Sequence, residues 1–274
     1  MPLSARIAAL SLYPVKSCRG IAVASVRVTE RGLLHDREWM IVDANGRFLS
    51  QREVPALALV RTALSADALE LSDNAGSRVA VPLDRPGTTR EVTVWRDTVP
   101  AIDQGSDVAS WLSARLGRDV RLVRFDPAFR RACNRAYVGD SGAHTGFADA
   151  YPLLVISEAS LADLNTRLAS PLPMNRFRPN VVLGGCEAYD EDHIDTIGAG
   201  AIRMKLVKPC TRCQIPTTNQ ETAERGCEPL ATLATYRMNA ALDGVTFGVN
   251  AIVTDGFGGT LRTGALVQYS LRFS

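Results

Sequence analysis

Lysine is nearly missing from this chain of 274 residues: of its 31 basic side chains only Lys16, Lys205 and Lys208 are lysines, and the formal net charge is +2. So small an excess argues against general nucleic-acid binding, and the bias toward arginine reads as composition wherever the arginines are not clustered. Long apolar runs are missing too. No stretch approaches the roughly 18 residues that cross a bilayer. The start, Met1-Pro2-Leu3-Ser4-Ala5-Arg6, has no charged head or small-residue cleavage site of a secretory signal. Cysteines at 18, 133, 186, 210, 213 and 227 are too sparse for a disulfide scaffold at this length, so a reducing compartment, the cytoplasm, is expected. Repeats and low-complexity tracts are also lacking, and 46% apolar with 22% charged residues is ordinary for a folded protein that buries its own core.

What is present is a succession of short strands. Residues 7–13, 21–29, 38–42, 57–64, 68–71, 79–81 and 92–94 carry strand patterns, with Ala44-Asn45-Gly46 and Asp73-Asn74-Ala75-Gly76 as hairpin signals. Val108, Trp111, Leu112 and Leu116 recur at helical spacing between Ser106, the expected N-cap, and Gly117, the expected stop. Periodicity fails over 126–150. A domain boundary and a long loop are expected there, with Arg130, Arg131 and Arg135 forming a lid over an anionic ligand. Further on, 151–156 reads as a buried strand, 157–165 as a capped helix and 229–238 as another helix, while 181–183, 201–207, 246–253, 259–262 and 266–271 read as strands. The expected class is mainly β (α+β): a barrel-like unit over 1–128 and a second β-rich unit with a few helices over 129–274.

Chemistry concentrates at Lys208-Pro209-Cys210-Thr211-Arg212-Cys213. Two thiols three residues apart can face one centre, and adjacent cations favour the thiolate, the form that attacks electrophiles and ligates soft or high-valent metals. The spacing alone leaves several readings open. A structural zinc would need further ligands from Cys186, Cys227 and His193. A thioredoxin-like pair should open a helix, which Pro216 opposes. Two thiols that simply pack are a third possibility.

Separated phrases reduce this ambiguity. Tyr13-Pro14-Val15-Lys16-Ser17, His35-Asp36-Arg37, the stretch from Tyr151 to Asn165, Phe177-Arg178-Pro179-Asn180 and the cysteine phrase together resemble MOSC-domain proteins. Their order is similar to that of YcbX-type and mitochondrial amidoxime-reducing proteins, in which a MOSC N-terminal β-barrel domain precedes the MOSC domain. The resemblance implies a molybdenum cofactor, a pyranopterin dithiolene with a terminal phosphate, whose metal takes one protein thiolate. By motif position that ligand and catalytic residue is Cys213, with Cys210 its near neighbour. Lys16, Arg37 and Arg178 would supply cations and fork donors, Ser17 and Asn180 short polar contacts. Asp149, Ala150, Cys210, Thr211 and Arg212 stand where the family also approaches the cofactor. Pro179 should restrict Arg178 and aim its side chain.

The implied activity is reduction of small N-hydroxylated or N-oxide compounds, with electrons from a separate protein, a ferredoxin or flavoprotein reductase. No cysteine-rich ferredoxin-like domain and no membrane anchor are expected in this sequence, and a monomer is the default. The alternatives are a sulfur carrier, with a persulfide on Cys213 or Cys210, and a binding protein for the cofactor without turnover.

Overall fold

The computed structural model describes residues 3–272, so Met1-Pro2 of the expected start and the last two residues of the expected second unit lie outside it. Seven strands close a barrel: β1 (Leu3–Leu12), β2 (Leu153–Ser157), β3 (Val181–Gly184), β4 (Ile194–Ala199), β5 (Ile202–Thr211), β6 (Gly244–Asp255) and β7 (Leu266–Leu271). Their order is β2-β3-β1-β7-β4-β5-β6, and β6 returns to β2 through Leu153↔Ala251 and Val155↔Val249. Only β2 and β3 run parallel, as a strand–helix–strand connection requires. Alternation explains the core. Ile7, Leu10, Val155, Val181, Leu183, Ile197, Met204, Val249 and Val267 are buried together in it.

The strand that begins the chain is thus built into a sheet whose other members come from the second half. Arg6 pairs with Gly184 on one side of β1 and with Leu266 on the other. In the rest of the first half, 21–23 pairs with β1 and 25–29 with 32–33 and 260–262, while a four-stranded antiparallel sheet forms from 39–43, 120–125, 97–103 and 89–94, and a meander from 61–64, 68–72 and 78–82. Helix α1 (Ser106–Leu116) buries Val108 and Leu112 against the same core as Trp39, Leu69, Leu71 and Leu122.

The hairpins at Asn45-Gly46 and Asn74 to Gly76 form as expected, with Asp43 and Asp73 accepting backbone N–H groups inside each turn. Helix α2 (Glu158–Thr166) is capped by Ser157, whose hydroxyl accepts the Ser160 N–H. Several expectations need correction. Gly105, at φ 91°, and not Ser106 is the N-cap residue of α1. Pro55 opens a tight helical turn over Pro55–Leu59, so the strand expected from 57 begins only at Arg61. Helix 229–238 shortens to Leu230–Ala234, and the strands at 97–103, 120–125 and 194–199 were not anticipated.

The segment 126–150 is also not a free lid. It pairs Arg131-Ala132 with His144-Thr145, and its arginines are engaged: Arg130 with Glu30, Arg131 with Asp97, Arg135 with Asp140. Buried Arg131 further donates to the carbonyls of Gly146, Ala148 and Asp149, so its guanidinium shapes the wall leading to Asp149. Among the described residues no helix is long and apolar enough to cross a membrane.

Candidate functional site

A cavity of about 210 Å³ opens where the Lys16–Ser17 turn, Arg37, the entry to β2, the entry to β3 and the end of β5 converge. All of Lys16, Ser17, Arg37, Asp149, Ala150, Arg178, Asn180, Cys210, Thr211, Arg212 and Cys213 line it. Lys208, read from the sequence as a cation beside the thiols, lines it too, and so do Tyr151, Phe177, Ile215 and Asn250, which the sequence did not mark as site residues. Asn250 had a visible signal, a lone amide within the apolar run Val249 to Val253.

The backbone is bent to present these groups. Strand β5 slips register against β6 between Leu206 and Lys208 and again between Pro209 and Thr211, so the cysteine phrase leaves the regular ladder just where it meets the cavity. Pro209 is tolerated there because the bulges relieve the ladder of its missing N–H. Ser17, Arg37 and Arg178 hold φ of 67°, 47° and 58°, a left-handed conformation uncommon for any residue but glycine. Three such residues around one cavity mark a surface shaped for contact. Arg178 departs from the extended backbone that a following proline favours. Its neighbours hold it: Arg178 Nη1 donates to the Cys18 carbonyl at 2.7 Å, and its carbonyl accepts Arg37 Nη2 at 3.3 Å.

Tyr13 organises this cationic side. The Arg37 and Arg178 guanidiniums lie 4.2 and 4.3 Å from its ring centroid, and its hydroxyl donates to the Pro179 carbonyl. The ring fills the space where a Gly20 Cβ would come within 2.4 Å, so residue 20 cannot carry a side chain without displacing it. Burial lowers the Arg178 guanidinium to about 10. Burial likewise pushes the Asp36 carboxyl up, against the pull of Arg37 at 2.6 Å.

Lys16, 5% exposed, donates to the Phe147 carbonyl at 2.8 Å and to Asp149 Oδ1. Burial lowers its pKa and the Asp149 charge opposes that shift. Desolvation would raise Asp149, but the Lys16 charge, its hydrogen bond and the Trp95 indole N–H at 3.1 Å hold the carboxyl below the ordinary range. Asn180 is fully engaged inside the protein. Its oxygen accepts Arg37 Nη1 and the Leu154 N–H, and its nitrogen donates to Ser11.

Arg212 turns toward Cys210, donating Nη1 to its Sγ at 3.1 Å and Nη2 to the Phe177 carbonyl at 2.8 Å, while its buried Nε has no partner. Cys213, also a free thiol, lines the cavity. Burial pushes Cys18 up to about 12 and Cys133 and Cys186 to about 11, which disfavours their thiolates.

Two readings of the cysteine pair fall on this geometry. Among the described residues no group of three or more His, Cys, Asp or Glu could hold a metal, so Cys186, Cys227 and His193 do not complete a zinc site. A tight turn over Ile215–Thr217, and not a helix, follows the pair, against a thioredoxin-like arrangement. Lys16 and Arg37 are balanced by Asp149 and Asp36, whereas Arg178, Arg212 and Lys208 bond or stack on carbonyls, sulfur and rings. Surplus cations, an orphaned guanidinium N–H and a free thiol suit an anionic group that carries a thiophilic metal.

Residues 4–119 match the MOSC N-terminal beta barrel domain and residues 142–268 the MOSC domain. The chain belongs to the MOSC-domain family. This MOSC protein is 34% identical over 273 residues to mitochondrial amidoxime-reducing component 1 of Mus musculus, a match covering 94% of the chain and 80% of the relative. Mitochondrial amidoxime reducing component 2 of Rattus norvegicus is 34% identical over 276 residues, with 92% and 80% covered. Molybdenum cofactor sulfurase of Oryza sativa subsp. japonica is 32% identical over 249 residues, 82% of the MOSC chain but 30% of that longer protein.

Proposed function

We propose that this protein is a molybdenum-cofactor-dependent oxidoreductase that reduces N-hydroxylated or N-oxide compounds, fed by a separate electron-transfer protein. The observation that carries the reading is the free Cys213 thiol in a cavity also lined by Arg178, Arg212 and Lys208, none of which is paired with a carboxylate among the described residues. Likeness to two amidoxime-reducing proteins over most of their length supports the substrate class. In this reading Cys213 ligates the metal. Arg178 and Arg37, fixed on Tyr13, and Lys16 hold the phosphate and pterin, aided by Ser17, Thr211, Arg212 and the backbone of Asp149 and Ala150. Asn180 orients Arg37. When bound, the molybdenum cofactor would supply two electrons and take up the oxygen atom of the substrate, and the separate electron-transfer protein would restore the two electrons. We place the division between the units near residue 128, with β1 contributed across it, and the protein in the cytoplasm, where its free cysteines would stay reduced.

Likeness to the sulfurase favours one second reading, a sulfur carrier with a persulfide on Cys213. Metal and pterin analysis of the wild type, Cys213→Ala and Cys210→Ala separates them. Stoichiometric molybdenum, lost in Cys213→Ala and kept in Cys210→Ala, is expected. Cyanide-labile sulfur without pterin would move the assignment to sulfur transfer.

A further inference from the structure

The segment 214–228, which starts directly after Cys213, is held by two buried clasps. Arg176, 8% exposed, donates Nε to the Pro216 carbonyl at 2.7 Å and Nη2 to the Glu228 carbonyl at 3.3 Å, so one guanidinium grips both ends. Burial lowers its pKa, and its bonds go to carbonyl oxygens. Desolvating a cation is unfavourable, and those carbonyls are what compensates it.

The middle of the segment is held from the first half of the chain. Gln51 and Gln220, 0% and 4% exposed, exchange amide hydrogen bonds of 3.1 and 3.0 Å. The second N–H of Gln51 goes to the Ser17 carbonyl at 2.7 Å, that of Gln220 to Thr218 at 3.1 Å. Both amide nitrogens are therefore saturated, and a single one, on Gln51, touches the Cys213 segment and the strained Lys16–Ser17 turn at once. Exposed Arg225 adds bonds to the carbonyls of Gln51 and Arg52, and Arg19 pairs with Glu221.

We propose that Arg176, Gln51 and Gln220 are positioning residues that fix the Cys213 thiol relative to the Lys16–Ser17 wall of the cavity. This concerns the placement of a thiol and stands apart from which cofactor the thiol serves. Buried amide pairs have one satisfied geometry, so they set a distance more sharply than apolar packing does. Without them the segment keeps its contacts but loses its register to Ser17.

The test is alkylation by iodoacetamide of the full-length chain prepared free of molybdenum, followed at individual cysteines by mass spectrometry. Gln51→Leu/Gln220→Leu removes the amide pair but also takes a donor from the Ser17 and Thr218 carbonyls, so some loss of stability is expected and the variant is assayed at a temperature where it is fully folded. The rate at Cys213 is expected to rise at least about fivefold in that variant and in Arg176→Lys, while Cys186 stays within about twofold of wild type. A general loosening would raise both cysteines together and overturn the proposal, as would an unchanged Cys213 rate. If the double variant does not fold, Arg176→Lys alone decides: a rise confined to Cys213 supports the clasp, and no rise overturns it.

Discussion

Arg212 donates to the Sγ of Cys210 at 3.1 Å, so the cation lying between the two cysteines in sequence is committed to the first of them. Both thiols line the cavity, but they differ in their surroundings: Cys210 packs beside Phe177 and Phe247 with a guanidinium against its sulfur.

Arg212→Lys keeps the charge but cannot make both the Cys210 and Phe177 contacts, because lysine lacks the planar fork. Bound pterin and molybdenum should fall several-fold in this variant, and further in Arg212→Ala. Cofactor content per chain is the measurement, and retention of wild-type content in Arg212→Ala would remove Arg212 from the site.

Asn180→Ala strips partners from the Leu154 N–H and the Ser11 carbonyl at the junction of β1, β2 and β3. Leaving buried polar groups bare should destabilise the fold by about 1–3 kcal/mol, read from the urea midpoint.

Ser17→Gly relieves a left-handed φ of 67° and should raise stability by about 1 kcal/mol. The same change frees the turn beneath the cavity, so bound pterin should fall as the melting temperature rises. A melting temperature unchanged or lowered would show that the turn stores no strain.

The Lys16–Asp149 pair fixes the sign of an acid effect. Asp149 has a folded pKa below its unfolded value of about 3.9, so its stabilisation is fully present above that value and is lost as pH falls toward the folded pKa. Urea midpoints of wild type and Asp149→Asn measured from pH 7 downward should therefore converge below about pH 4. Curves that run parallel through this range would rule out the linkage.

Lys16, Arg37, Arg178 and Cys213 were legible through the order of short phrases that resemble MOSC-domain proteins, since each cation taken singly reads as a solvated strand end. Tyr151, Phe177 and Ile215 were not read as site residues: an apolar or aromatic side chain reads the same in a core as in a cavity wall. Arg131 misled for a related reason, since a cluster of arginines shows its charge and hides its partners, here Asp97 and three carbonyls. The alternation in Leu3–Leu12 gave the strand. Its neighbours Val181–Gly184 and Leu266–Leu271 lie far along the chain, and no local pattern encodes such pairings.

That same strand governs when the cavity can exist. On the ribosome β1 emerges early, and the strand that flanks it on one side, β7, emerges after every other member of the barrel. Until then β1 offers an unpaired edge to any extended segment nearby, and closure waits on contacts of the longest sequence separation in the molecule. Cys213 is therefore translated well before the walls around it can assemble, and a nascent chain arrested short of β7 would display the thiol with no finished pocket to hold a ligand.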